Sequence, residues 1–152
     1  MALRWSDDLQ TVDWQALSDM YLAAPLGAGR KPPEKLAVVF GNSQVRCFVY
    51  DGDQLVGAGR ALCDGADVAY LADIALLPAY QARGVGAQIM CKLLEPLQGY
   101  GKIILYSVPG KEDFYRRFGF ARMTTAMARF ADQPLAFARG YVESDGENTH
   151  SK

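Results

Sequence analysis

Residues 68–108 constrain the fold of this chain more than any other stretch. VAYLADIALL, 68–77, reads as a strand that closes on Pro78. Gly84 and Gly86 then open an amphipathic run. It places Ile89, Leu93 and Leu97 on one stripe, with Met90 and Leu94 beside it, and such a stripe packs on a sheet. Pro96 limits this helix, because proline disfavours the helical conformation in the residue before it. Gly99 and Gly101 release the chain into KIILYSV, 102–108, a β-rich run. A strand, a helix and a strand of these lengths form a crossover, and crossovers join parallel strands.

Upstream, the strands are antiparallel. QVRCFVY, 44–50, is β-branched and aromatic, and LVGAGRAL, 55–62, follows it across DGDQ, a hairpin signal. The turn CDGAD leads to the strand at 68, which completes a meander. LRW, 3–5, predicts a short first strand. VDWQALSDMYLAA, 12–24, has helical apolar spacing, with Asp13 placed to cap it. PLGAGRKPP, 25–33, is a loop carrying Arg30 and Lys31. EKLAVVFGNS, 34–43, leans towards a short helix because of its Gly-Asn-Ser exit. PGKEDFYRRFGF, 109–120, predicts a turn, a short helix ending at Gly119 and the start of a strand. MTTAMARF, 123–130, is the last strand-like run. The expected organisation is one α/β domain of α+β type over 1–138, with a disordered polar tail over 139–152.

Composition narrows the chemistry. Of 152 residues, half are hydrophobic and 22% are charged, enough for one substantial core. A net charge of −1 argues against a nucleic-acid partner, which favours a basic surface. No apolar run approaches the roughly 18 residues of a membrane span. The N-terminus has acids where a secretion signal needs an apolar centre. Cys47, Cys63 and Cys91 are odd in number and far apart, so a reducing cytoplasm is the default location. Cys91 reads as a small packing residue on the helix. The single histidine, His150, lies in the polar tail, which argues against histidine-based nucleophilic catalysis and against a transition-metal site.

The glycine turn has a chemistry of its own. A strand that ends in small residues and passes directly into a helix presents amides without intrahelical partners, and the helix dipole adds positive potential. Glycine lets a bulky polyanion approach the backbone. Arg83, Gly84, Val85, Gly86 and Ala87 therefore form a candidate phosphate or pyrophosphate cradle. Tight helix–strand packing is the competing explanation for two glycines. The dinucleotide pattern G-x-G-x-x-G is not met, since position 89 is Ile, and no Gly-Lys-Ser or Gly-Lys-Thr follows.

DIALLPAYQARGVGAQIMCKLLE, followed about twenty residues later by FYRRFGF, resembles the GNAT superfamily of acyl-CoA-dependent N-acyltransferases. Gln81, Gly84 and Gly86 fill the family's turn pattern, and Phe114, Tyr115 and Phe118-Gly119-Phe120 match its second block. The resemblance covers 44–130 and leans towards bacterial members, distantly similar to plant-type arylalkylamine acetyltransferases. It implies a GNAT fold: a mixed sheet of about six to seven strands, an antiparallel N-terminal meander, a splayed parallel pair and flanking helices. It further implies acetyl-CoA as cosubstrate, without a metal. Pantetheine would lie along Ile74, Ala75 and Leu76 as an added strand. The pyrophosphate would sit on the turn, Gln81, Ala82, Arg83, Gly84, Val85, Gly86 and Ala87, and Phe114 and Tyr115 would adjoin the coenzyme. Tyr115 is the implied acid for the thiolate, with aromatic packing as its alternative.

Asp73 is the one charge in an apolar strand, directly before the pantetheine segment. It is a candidate for amine binding or proton acceptance, and a structural pair with Arg60 is the alternative. Tyr70 and Glu112 are lesser candidates. Arg116 and Arg117 read as a solvated face. The expected activity is an N-acetyltransferase acting on a primary amine in a ternary complex. A small-molecule acceptor is favoured by aromatics at Trp5, Trp14, Tyr21, Phe40 and Phe48 that can line a pocket, although a core role suits them equally. The alternatives are a protein lysine or N-terminal acetyltransferase and a non-catalytic acyl-CoA-binding module. Homodimers are frequent in the family, and an apolar C-terminal strand offers one route to pairing.

Overall fold

The computed structural model describes residues 2–24 and 31–144. The chain divides into two compact units, Met1–Leu105 and Tyr106–Lys152. The first holds β1 (Leu3–Ser6), α1 (Trp14–Ala23), α2 (Pro33–Gly41), β2 (Val45–Asp51), β3 (Gln54–Cys63), β4 (Val68–Leu76), α3 (Val85–Leu94) and β5 (Lys102–Ile104). The second holds α4 (Glu112–Arg116) and α5 (Gln133–Ala138).

The sheet has the order β1-β2-β3-β4-β5. The first four strands pair antiparallel, and β5 joins β4 in parallel, as the crossover requires. The β2–β3 hairpin turns between Asp51 and Gln54, with Gly52 at φ 59°. Asp13 caps α1, its carboxylate accepting from the Ala16 amide at 3.0 Å. Pro33 stands at the start of α2, where a missing N–H is not needed.

The faces of the sheet bury different material. Phe48, Tyr50, Ala58 and Ala75 join Leu17, Met20 and Tyr21 of α1 and Leu36 and Phe40 of α2 in one core. Each such large apolar side chain contributes about 1.5–3 kcal/mol when fully buried. On the other face α3 packs through Ile89 and Leu93, and two glycines of β3 let it come close. A Cβ at Gly57 would lie 3.1 Å from Ile89 Cδ1, and one at Gly59 would lie 2.9 Å from Leu93 Cδ1.

Several expectations need correction. Five strands form among the described residues, not six to seven. The run 102–108 pairs with β4 only over Lys102–Ile104, and further along β4 departs from extended geometry at Asp73, φ 55°. The run 123–130 is not a strand: residues 121–129 are exposed, and without a face to bury the extended chain has nothing to pair for. No strand begins after Gly119 either: the half-buried Phe120 ring packs back on Tyr115 instead of extending into a ladder. Cys91 is exposed, since it lies two residues from both Ile89 and Leu93 and so points off the buried stripe. Phe40 and Phe48 are fully buried, Tyr21 nearly so, and Trp14 packs on both phenylalanines, so these four form core, whereas Trp5 lines an open cleft with Asp7, Cys47 and Lys92.

In the second unit, Asp132 caps α5 by accepting from the Leu135 amide at 3.0 Å, and Pro134 stands in its first turn. The capping Asp132 with Pro134 just after it is a helix-start signal that the sequence itself carries. Tyr141 follows α5, its amide bonded to Ala136 O at 2.9 Å and its ring against Tyr106 and Phe130. Residues 25–30 of the expected loop, and 145–152 of the expected tail with His150, lie outside the described residues.

Candidate active site

The first element of the site is a strand edge. Parallel pairing of β4 ends at Tyr70↔Ile104, yet β4 continues to Leu76. On its other side β4 stays paired with β3 up to Gly57↔Leu76. The β5-side edge of Leu71–Leu76 thus has no strand partner in this unit among the described residues. Ile74, Ala75 and Leu76 lie on that edge. An amide-bearing chain can satisfy it by strand addition.

The second element is the turn into α3. Gly84 is the N-cap, with φ 80° and ψ 0°, and no side chain caps the helix. The first intrahelical bond is Gln88 N to Gly84 O, 3.2 Å. The amides of Val85, Gly86 and Ala87 precede that bond and have no place in the helical ladder. Nothing lies within 4 Å of a Cβ built on Gly84, so the backbone is open to a large group. Residues 81–84 are exposed. Arg83 adds a cation, its guanidinium 5.9 Å from the centroid of the Tyr80 ring. The Gln81 side chain donates to Leu76 O at 3.1 Å and ties the turn to the end of β4. Tyr80 Oη donates to Asp51 Oδ2 at 2.5 Å and ties it to β2. These features fit a pyrophosphate at the turn and a pantetheine arm along β4.

Backbone strain brackets this region. Among the described residues, Asp73 (φ 55°) and Ala82 (φ 61°) are the non-glycine residues with positive φ. Such a conformation costs about 1–2 kcal/mol and persists where surrounding contacts enforce it. At Asp73 those contacts are visible. Lys31 Nζ donates to Oδ1 at 2.6 Å, and Arg60 Nε to Oδ2 at 2.7 Å. Tyr21 Oη donates to the Asp73 carbonyl at 2.6 Å. The register between β3 and β4 shifts at this point, between Ala58 and Arg60.

Burial alone would raise the Asp73 pKa, but the charges and hydrogen bonds of Lys31 and Arg60 outweigh it and hold the carboxyl below its ordinary value. Asp73 is thus a fixed anion. The Tyr21 hydroxyl is pushed well up by burial and by the Asp73 charge, so it stays a proton donor to the carbonyl. The pair with Arg60 is the partner considered from sequence. Lys31 reads only as a loop residue, and Tyr21 only as an aromatic for a pocket or the core, not as a partner of Asp73. Neither position carries a local signal for a contact 42 or 52 residues away.

The second unit presents Tyr115 on α4. Its ring packs edge-on to Phe114 at 5.0 Å and to Phe120 at 6.3 Å between centroids. Gly119, at φ 89°, allows the reversal that returns the Phe120 amide to Tyr115 O at 3.4 Å. Burial raises the Tyr115 pKa, so the phenol keeps its proton at neutral pH. Arg116 pairs with Asp113, and Arg117 lies over Phe114 and Phe118, both arginines being exposed. Glu112 accepts from the Gly110 amide at 3.0 Å and organises the start of α4. Among the described residues, no group of three or more His, Cys, Asp or Glu side chains is placed to hold a metal ion. No described helix is long and apolar enough to cross a membrane.

Known proteins are similar to this chain in sequence and fold. Residues 43–122 match the family model described as acetyltransferase (GNAT) domain. The chain is 31% identical over 126 residues to histone acetyltransferase TAP1 of Glycine max, covering 74% of this chain and 52% of that protein. It is 31% identical over 116 residues to serotonin N-acetyltransferase 2, chloroplastic, of Oryza sativa subsp. japonica, covering 72% and 57%. The chain thus spans about half the length of the curated relatives it matches. A solved acetyltransferase-like structure from meticillin-resistant Staphylococcus aureus superposes with a TM-score of 0.74 at 21% identity, over 85% of this chain and 98% of that one. At that identity the likeness establishes the fold alone.

Proposed function

Since the chain belongs to the GNAT acetyltransferase family, we propose that it transfers an acetyl group from acetyl-CoA to a primary amine within a ternary complex. One observation carries this reading. The open edge of β4 leads, through one short turn, to a helix N-terminus that no side chain caps and whose Gly84 is open. A linear amide-bearing chain that ends in a pyrophosphate matches that sequence of features.

Acetyl-CoA supplies the thioester carbonyl that the amine attacks; a C–N bond forms and the C–S bond breaks. With the pyrophosphate on 82–87 and pantetheine along 74–76, the thioester end points back towards Asp73. The acceptor arrives mostly as an ammonium, since alkylamines have a pKa near 10.4. A lowered carboxyl is a poor proton acceptor, so we assign Asp73 to holding that ammonium and route its proton to water. Tyr115 is assigned to protonate the departing thiolate, a role that a phenol still protonated at neutral pH can fill.

A small arylalkylamine is the proposed acceptor, supported by the likeness to the rice protein named a serotonin N-acetyltransferase. A protein amine is the second reading, supported by the likeness to the soybean protein named a histone acetyltransferase. The test is thiol release from acetyl-CoA by the full chain across arylalkylamines, polyamines, amino acids and lysine peptides. Turnover with arylalkylamines is expected. Turnover with peptides only would shift the assignment to protein acetylation, and tight acetyl-CoA binding with no thiol release from any amine would leave a binding module.

A further inference from the structure

Two cations meet the Asp73 carboxylate, and they are not equivalent. Arg60 reaches it from the adjoining strand with a side chain only 11% exposed. Its Nη1 also donates to Ser43 Oγ at 3.3 Å, and Ser43 is buried. Arg60 is therefore part of the sheet. Lys31 takes the other carboxylate oxygen with a side chain 29% exposed. It comes from the wetter side. The backbone of Lys31 is fixed, because the fully buried Ser18 donates its hydroxyl to Lys31 O at 2.7 Å. Only the four-carbon stem is free to swing. An amine that reaches Asp73 from solvent meets the place held by Lys31 Nζ, which is itself a primary ammonium.

We propose that Lys31 is an internal occupant of the acceptor-ammonium position on Asp73, and that acceptor binding displaces it. The inference rests on the assignment of Asp73 as the ammonium anchor. The exchange conserves charge. Arg60 stays on Oδ2, one ammonium replaces another on Oδ1, and the largely buried carboxylate never stands unpaired, which would be costly. The displaced Lys31 moves into water, where a compact, strongly hydrated ammonium on a flexible stem is well accommodated. The consequence is a lowered apparent affinity for the acceptor, in proportion to the fraction of molecules with the position free. Lys31 thereby sets a threshold that an acceptor has to exceed to be held. Amines with additional apolar contacts exceed it and small alkylammonium ions do not.

Calorimetric titration of phenethylamine into the full chain loaded with coenzyme A tests this, in the wild type, Lys31→Met, Lys31→Gln and Asp73→Asn. Affinity is expected to rise about fivefold in both lysine variants, and binding is expected to be lost in Asp73→Asn. Unchanged or weaker affinity in the lysine variants would overturn the proposal, as would absence of binding to all three proteins that retain Asp73. Two lysine variants guard against one that folds poorly, and thermal melts identify it. Thiol release by the wild type, measured on the same preparation, reports separately on acetyl transfer. Turnover with unchanged affinity in the lysine variants rejects displacement and leaves transfer standing. Tighter binding in those variants without thiol release from any amine rejects transfer and leaves displacement standing.

Discussion

The second half of β4 and the α4 segment both carry proposed site residues, and they are held by different means. Around Asp73, hydrogen bonds and ion pairs arrive from α1, from the approach to α2 and from β3. The segment is fixed by polar ties in a setting that enforces a positive φ. Tyr115 is held by rings, edge-on to Phe114 and Phe120. Polar ties fix a backbone to within a hydrogen-bond length, which suits a strand edge meant to accept another chain. Aromatic packing fixes a side chain while leaving its polar tip uncommitted, which suits a proton donor. If so, changes at β4 should register in stability and cosubstrate affinity together, and changes at Tyr115 in turnover alone.

The largest expected effect comes from removing the polar tie. Asp73→Ala leaves Arg60 and Lys31 facing each other without a counter-charge and releases a strained backbone. A loss of about 3 kcal/mol is expected in urea unfolding. The pH dependence follows from the lowered Asp73 pKa. A depressed carboxyl contributes stability that is complete above its unfolded pKa, near 3.9. That contribution is lost as pH falls through the lower folded value. The wild type should therefore lose stability below about pH 4 along a limb that is flatter in Asp73→Asn. Identical acid limbs would show that the ion pairs do not hold the strand.

Next in size is Gly57→Val. A Cβ there would lie 3.1 Å from the Ala75 carbonyl oxygen and 3.0 Å from Leu76 Cδ1, on the β3 side of the strand whose other edge is open. Overpacking of this kind costs about 1–3 kcal/mol. Displacement of Ala75 and Leu76 should raise the KM for acetyl-CoA as well. A stability loss with unchanged KM would separate the strand edge from cosubstrate binding.

Tyr115→Phe is expected to act on the other side of the comparison. It keeps the rings and removes one hydroxyl. Turnover should fall about tenfold or more, about 1.4 kcal/mol in the barrier, with acetyl-CoA affinity and melting temperature unchanged. Full turnover under saturating substrates would reduce Tyr115 to a packing residue.

The sequence made local features legible and left distant ones hidden. Asp13 as a cap, the Asp-Gly hairpin, the stripe of Ile89 and Leu93 and the glycine turn each depend on neighbours within about a turn or two of chain. The structure places all of them as read. The strand expected at 123–130 failed because β-propensity only says that a segment would suit a half-buried surface, and residues 121–129 have none to cover. The site itself was half legible. The proposed cradle belongs to one turn of chain, whereas the Lys31–Asp73–Arg60 cluster is assembled by topology from three separated segments. Asp73 stood out as a lone charge in an apolar strand. Arg60, on the neighbouring strand, was legible as its structural partner; Lys31, 42 residues away in an irregular loop, was not.

The smallest expected effect tests the cradle without disturbing its neighbours. Gly84 takes φ 80°, and nothing lies within 4 Å of where a Cβ would be. Gly84→Ala therefore adds conformational strain and no collision, a loss of about 1 kcal/mol in unfolding free energy. A purely structural glycine would show that loss and nothing else. If the amides of 84–87 hold a pyrophosphate, a methyl group on the open face intrudes where the phosphate oxygens approach. Acetyl-CoA binding should then weaken by more than dephosphorylated pantetheine derivatives do. Their comparison isolates the turn from the strand edge, because the derivatives use only β4. Equal weakening of both ligands would place the effect on β4 and remove the turn from coenzyme binding.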